Sequence, residues 1–272
     1  MKERAMTETK MISANGISIR YSDEGSKDAP PLMMSHSLSA ELAMWDPQAA
    51  VLTDDFRVIR YDTRGHGGTE VPPGPYSLEM MADDAVGLMD ALGLDKVHWV
   101  GLSMGGMIGQ TLALRAPERL ISLTLADTSA GYPPEAKAMW ADRITTARAN
   151  GMAAGVEGTM ERWFSPSFMA SGAPALDDVR RMIADTPVEG YCGCGAAIAN
   201  LAVTPRLSEI ALPTLVICGE DDQATPLSMA ETIRDGIPGA QLAVLPVARH
   251  LANLEDVDGF NKAMLTFLRA HK

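Results

Sequence analysis

"KVHWVGLSMGGMIGQTLALRAPERL", residues 96–120, runs from an apolar stretch through a serine set among glycines into a series of helix formers, and its reading decides the fold. Residues 96–103 are short, apolar and rich in β-branched and aromatic side chains, which predicts a buried strand. Gly101-Leu102-Ser103-Met104-Gly105 fits G-x-S-x-G, with the strand before it and the helix after it that give this spacing meaning. Such a turn strains the serine backbone, and flanking residues without Cβ let neighbouring chain pass close by. Gly106 extends the same allowance. A glycine-rich turn without chemistry fits these residues too. A phosphate loop does not, because G-x-x-x-x-G-K-[ST] needs a lysine that is missing here.

Outward from this turn, compact apolar runs recur at 31–35, 56–62, 120–127, 212–220 and 240–246, each read as a strand. Asn15-Gly16 between two alternating stretches predicts a hairpin ahead of them. Helical patterns lie between several runs. In the clearest, Leu78, Met81, Ala85, Leu88, Met89 and Leu92 share one face and Ser77 caps the start. Phe260, Met264, Phe267 and Leu268 line one side of a closing helix. Strands alternating with helices predict an α/β protein with a mostly parallel sheet covered on both faces. The rhythm breaks at 130–205, which is helical without a convincing strand. We expect a core of 1–129 and 206–272 carrying a helical cap insertion at 130–205.

The 272 residues, 46% hydrophobic, are enough for one globular unit. A net charge of −12 and the lack of any Lys/Arg run argue against nucleic acid as a partner. "MKERAMTETK" has no apolar signal-peptide core behind it, and no apolar stretch approaches the roughly 20 residues that span a bilayer, so no membrane association and a cytoplasmic location are expected. Cys192, Cys194 and Cys218 make an odd count, and "CGC" is neither a redox C-x-x-C nor a paired zinc knuckle. They read as structural thiols, with no metal site.

A serine hydroxyl becomes a good nucleophile only when a base takes its proton, so Ser103 needs a histidine and an orienting carboxylate. Of five histidines, His36 and His66 follow early strands, His98 lies within a strand and His271 is terminal. His250, on the loop after the last strand, can reach back over the carboxyl edge of the sheet. Asp222, after the penultimate strand, completes the order Ser103, Asp222, His250. Asp127, at the end of an earlier strand, is the rival acid, and Asp221 reads as an exposed neighbour.

These residues together resemble the α/β-hydrolase family over nearly the whole chain. "SHSLSAELAMWDPQ" (35–48), "YDTRGHGGTEVPPGPYSLE" (61–79), "ERWFSP" (161–166), "GEDDQATP" (219–226) and "HLANLE" (250–255) look like the 3-oxoadipate enol-lactonases, cofactor-free hydrolases that open a small lactone. The resemblance implies an α/β-hydrolase fold with an eight-stranded sheet, no cofactor, and an oxyanion hole made by the backbone N–H groups of Leu38 and Met104. It also implies Trp140 as a substrate contact in the cap, where it aligns with a tryptophan of those lactonases, and Trp163, an aromatic of the same cap, is read as a second contact. His36 and Ser39 stand where Asn and Gly are expected, and His36 is read as a loop-structuring or pocket residue. The lactonases also carry a charged stretch where this chain has Ala199, Asn200, Leu201 and Ala202. With no cation evident for an anionic acyl chain, and with Met139, Met152, Met160 and Phe168 beside the tryptophans, the cap predicts a bulkier uncharged lactone, macrolactone or ester. The expected activity is lactone or ester hydrolysis through an acyl-serine. Carbon–carbon bond hydrolysis on the same triad and a ligand receptor with residual hydrolysis are the alternatives. Oligomeric state is not legible.

Overall fold

Asn15 and Gly16 take positive φ of 47° and 78°, and this tight turn folds β1 (Lys10–Ala14) back on β2 (Ile17–Glu24) as an antiparallel hairpin. Six strands follow in the computed structural model, which describes residues 7–272: β3 (Pro31–Ser35), β4 (Arg57–Tyr61), β5 (Val97–Leu102), β6 (Leu120–Ala126), β7 (Thr214–Gly219) and β8 (Gln241–Leu245). The first six residues of the N-terminal stretch lie outside the described residues. The strands form one sheet in the order β1-β2-β4-β3-β5-β6-β7-β8, antiparallel from β1 to β4 and parallel from there on. This is the eight-stranded, mostly parallel sheet expected from the sequence, and the predicted runs differ from the strands by at most two residues at either end.

Both faces of the sheet are covered, so its central strands carry continuous apolar runs; every residue of β5 and β7 is buried. One face packs Trp99, Met33 and Leu125 under the helices Leu78–Ala91 and Met104–Arg115. The other packs Val100, Leu102 and Ile217 under Trp45, Phe260, Met264 and Phe267, the last three from the closing helix Val257–Ala270. Ser77 caps its helix as expected, its Oγ accepting from the Met80 N–H at 3.1 Å. The three cysteines are buried free thiols. No helix among the described residues is long and apolar enough to cross a membrane.

The chain leaves the sheet after β6 and returns before β7 through a narrow neck. There Gly131 bridges Ala202, and the Ala130 carbonyl accepts from the Val203 and Thr204 N–H groups at 2.7 and 2.9 Å. Between them lie helices at Ala136–Asn150, Val156–Trp163, Pro166–Ala170, Pro174–Asp185 and Val188–Ala199, with no strand. The last of these sits directly on the core: a Cβ at Gly190 would fall 1.8 Å from the Gly65 carbonyl oxygen. Only glycine permits that approach, and the approach sets how this helix lies over the core.

Under the cap, the loop after β3 is pinned by two buried imidazoles. His36 Nδ1 donates to the Ser37 carbonyl at 2.7 Å, and its Nε2 accepts from the Thr63 N–H at 2.9 Å. His66 Nε2 accepts from the Ser39 N–H at 3.0 Å. Both rings therefore work as acceptors and must be neutral. Burial lowers both, helped at His36 by its neighbour His66, to about 3 for His36 and about 4 for His66. Since an unfolded histidine titrates near 6.5, the unfolded chain takes up protons below that pH that the folded chain refuses. The stability these histidines provide is complete above about pH 6.5 and is lost as pH falls toward 4. Asp62, raised to about 6 by burial, acts in the opposite sense, so the contribution of one histidine is read by difference. His66→Gln keeps an acceptor but cannot titrate. Its denaturation midpoint is expected to fall less steeply than that of the parent protein between pH 6.5 and 4 in urea melts, and equal slopes would remove His66 from this account.

Candidate active site

Ser103 stands between β5 and the helix that starts at Met104, with φ 55° and ψ −113°, a conformation costing on the order of 1–3 kcal/mol. The surrounding bonds hold it there. Its N–H donates to the Ala126 carbonyl on β6 at 2.8 Å, and its own carbonyl accepts from Thr128 Oγ1 at 2.7 Å. The turn closes only because its flanks lack side chains: a Cβ on Gly105 would lie 2.1 Å from the Ser35 carbonyl oxygen, and one on Gly101 would lie 2.2 Å from that of Gly105.

His250 follows β8 and brings Nε2 to 3.0 Å from Ser103 Oγ. Its Nδ1 lies 2.9 Å from Asp222 Oδ2, on the loop after β7. An imidazole between a hydroxyl and a carboxylate carries its proton on Nδ1 and leaves Nε2 free to accept. Asp222 is itself fully engaged. Its Oδ1 accepts from the N–H groups of Ala224 (2.7 Å) and Thr225 (3.0 Å), and its Oδ2 accepts from Thr225 Oγ1 (2.7 Å). Burial pushes this carboxyl up, but the charge and hydrogen bond of His250 and the two donors of Thr225 outweigh it and hold Asp222 below the usual carboxylate range. Thr225 is a partner the sequence reading missed; an Asp followed three residues later by Thr is the signal that could have found it.

Asp127, the rival acid, is fully buried at the end of β6 but makes no hydrogen bond to the imidazole. Its Oδ1 accepts from the Gly219 N–H at 2.8 Å, and its Oδ2 has no partner among the described residues. Burial first, and then the neighbouring Asp222 charge, push it well above the usual range, the opposite direction from Asp222. Cys218 stands close to both carboxylates, its thiol raised by burial and by their charges. With Asp127 and the thiol both shifted upward and Asp222 filled by donors, this cluster is poorly suited to a cation. Asp221 is exposed and pairs with Arg249 Nε at 2.8 Å, as expected for a loop residue.

Ser103 and His250 open onto a cavity of about 850 Å³ between the core and the cap, with Thr225 beside them. Leu38, Trp140 and Trp163 line it, and the Trp163 ring lies 5.9 Å from that of His250. Met104 is buried beneath, at the first position of its helix. Neither the Leu38 nor the Met104 N–H is engaged with another described residue, so both remain available to a bound oxygen. Met139 and Met152 also line the cavity, whereas Met160 and Phe168 belong to the packing of the cap, Phe168 stacked 5.2 Å from Phe164. His36 does not line it and structures the loop instead.

Two findings revise the reading of the cap. Ala199, Asn200, Leu201 and Ala202 do not line this cavity; Ile198 is the last residue of that helix to do so. Arg143 and Arg162, which the sequence reading passed over, do line it.

The alpha/beta hydrolase fold family matches residues 30–257. The chain is 35% identical to 3-oxoadipate enol-lactonase 2 of Acinetobacter baylyi, over 93% of this chain and 94% of that one. Among solved structures, a hydrolase from Pseudomonas aeruginosa superposes with a TM-score of 0.92 at 40% identity, covering 96% of this chain and 98% of its own. The enol-lactonase from Burkholderia xenovorans superposes with a TM-score of 0.92 at 36% identity, covering 96% and 100%. With the family match spanning most of the chain and full-length relatives at this level of identity, the protein belongs to the α/β-hydrolase family and is related to its enol-lactonases.

Proposed function

We propose that the protein hydrolyses carboxylic esters, lactones among them, through an acyl intermediate on Ser103. The observation that carries this reading is the unbroken line from Ser103 Oγ through His250 to Asp222, at 3.0 and 2.9 Å, on the floor of a large cavity. His250 Nε2 takes the Ser103 proton as Oγ attacks the carbonyl carbon, and the oxyanion accepts hydrogen bonds from the Leu38 and Met104 N–H groups. Such donors are typically worth on the order of 3 kcal/mol each in the transition state. His250 then returns the proton to the leaving alkoxide or enolate. In the second half a water gives its proton to the same nitrogen as its oxygen attacks the acyl carbon, the bond from that carbon to Ser103 Oγ breaks, and Nε2 returns the proton to Oγ as the acid leaves, while Asp222 stabilises the imidazolium. The relationship to enol-lactonases supports a lactone. A cavity of about 850 Å³ supports the expectation of a substrate bulkier than a small lactone. The arginines in it weigh against the uncharged part of that expectation.

The two buried aspartates make the test specific. Steady-state hydrolysis of a 4-nitrophenyl ester is expected to fall at least about 10³-fold in Ser103→Ala and about 10³–10⁴-fold in Asp222→Asn, which removes the charge behind the imidazole. Asp127→Asn keeps an acceptor for the Gly219 N–H and leaves the partner of the imidazole in place, and it is expected to stay within about fivefold of the parent. Sustained turnover in Ser103→Ala would end the proposal. Equal losses in the two aspartate variants would reverse the choice of acid. Turnover well beyond one equivalent of nitrophenol separates an enzyme from a receptor that reacts once.

A further inference from the structure

The stretch of chain that carries His250 is bonded to the cap on both sides of the imidazole. Arg249, the residue before it, donates from Nη1 to the Glu161 carbonyl at 2.6 Å and to the Phe164 carbonyl at 3.3 Å. These carbonyls lie at the C-terminal end of the helix Val156–Trp163, where a helix runs out of its own donors and its dipole favours a cation. Leu251, the residue after it, donates its N–H to the Trp163 carbonyl at 3.3 Å. Glu255 closes the other end. Its carboxylate accepts from the Arg249 N–H at 3.0 Å, from the Ser165 N–H at 3.1 Å and from Ser165 Oγ. Glu161, Trp163, Phe164 and Ser165 are thus each tied to the segment around His250. At the centre of these ties is Trp163, whose ring lies 5.9 Å from that of His250, with both residues lining the cavity. Arg249 Nε also pairs with Asp221 Oδ2 at 2.8 Å, so one guanidinium spans the acid loop and the cap. Its fixed fork of N–H groups can bond several acceptors at once. The side chain is partly exposed and does not line the cavity.

We propose that Arg249, with Glu255 as its counterpart, is a positioning residue for the reaction. It fixes the Trp163 ring against His250, so that the imidazole keeps Nε2 in line with Ser103 Oγ through each proton transfer. The inference rests on the acyl-serine reading and adds to it a side chain that touches neither the substrate nor the reacting atoms. Asp222 restrains the imidazole by a single hydrogen bond at Nδ1, which leaves the ring able to tilt out of line. A packed aromatic beside it removes that freedom, provided the aromatic is itself locked in place. A misplacement of about 1 Å costs on the order of 10²-fold in rate, so a partial loss of register is visible in turnover.

The test reads kcat for a 4-nitrophenyl ester per active site, with sites counted from the endpoint of labelling by a fluorophosphonate so that misfolded protein does not enter. Arg249→Gln is expected to lower kcat at least about fivefold, with KM within about threefold of the parent. Trp163→Ala, which removes the packed ring itself, is expected to lower kcat to a similar degree. Because the two act through one contact, adding Arg249→Gln to Trp163→Ala is expected to cost less than about twofold more. A merely structural arginine would not give that non-additivity. Glu255→Gln, which weakens the other arm, provides a second variant, and its smaller loss in kcat is expected to vanish likewise in the Trp163→Ala background. A smaller loss than fivefold in Arg249→Gln, a loss carried mainly by KM, or a full further loss in the Trp163→Ala background overturns the positioning role and leaves the acyl-serine reading standing. Ester turnover that is absent from the parent protein or survives Ser103→Ala overturns that reading and the positioning role with it.

Discussion

The structure depends on one close approach. Ser103 can stand in a strained conformation at the end of β5 because Gly105 lets the following helix come within reach of the Ser35 carbonyl, and because Ala126 and Thr128 of the neighbouring segment hold both sides of the serine peptide. The parallel sheet supplies the rigidity that a strained turn needs, since β5 is paired on both sides and buried on both faces. The same approach brings the first N–H groups of the helix under the serine. The proposed nucleophile and one proposed oxyanion donor thus lie on a single backbone path, and the loops after β3, β7 and β8 bring Leu38, Asp222 and His250 to the same edge of the sheet.

Electrostatics then separates the two carboxylates that could serve the imidazole, in the same direction as chain order does. Asp127 directly after β6 and Asp222 on the loop after β7 are both buried and lie next to one another. Four interactions stabilise the charge on Asp222, from His250, the Ala224 N–H, the Thr225 N–H and the Thr225 hydroxyl, while Asp127 has the Gly219 N–H at hydrogen-bond distance and a weaker influence from the Ala252 backbone among the described residues. Two adjacent buried charges repel, and the donors around Asp222 favour its charge while burial and that charge push Asp127 upward.

Much of this was legible in the sequence because it is local. Apolar runs of five to eight residues marked the strands, and the serine turn announced itself by glycine spacing and by the change of periodicity across it. The order of Ser103, Asp222 and His250 followed from which loops reach the carboxyl edge. The cap was less legible because its functional face is set by docking. An arginine on an amphipathic helix is ordinarily a solvated one, and nothing near Arg143 or Arg162 in sequence says that both turn inward. Their direction depends on how the cap helices lie on the core, which a contact between Gly65 and Gly190, 125 residues apart by their numbers, helps to set. The reading of 199–202 failed for a related reason. That helix ends at Ala199, and the chain then turns into the neck beside Gly131, away from the cavity that Ile198 still touches.

The central claim is that Ser103 carries the acyl group during turnover. Acid quenching of the enzyme within milliseconds of mixing with a 4-nitrophenyl ester, followed by peptide mass spectrometry, tests it directly. The account predicts an added acyl mass on the peptide containing Ser103, which appears and decays at rates consistent with turnover. Hydrolysis proceeding at full rate with no acyl group on that peptide, or with the label on another residue, would contradict it.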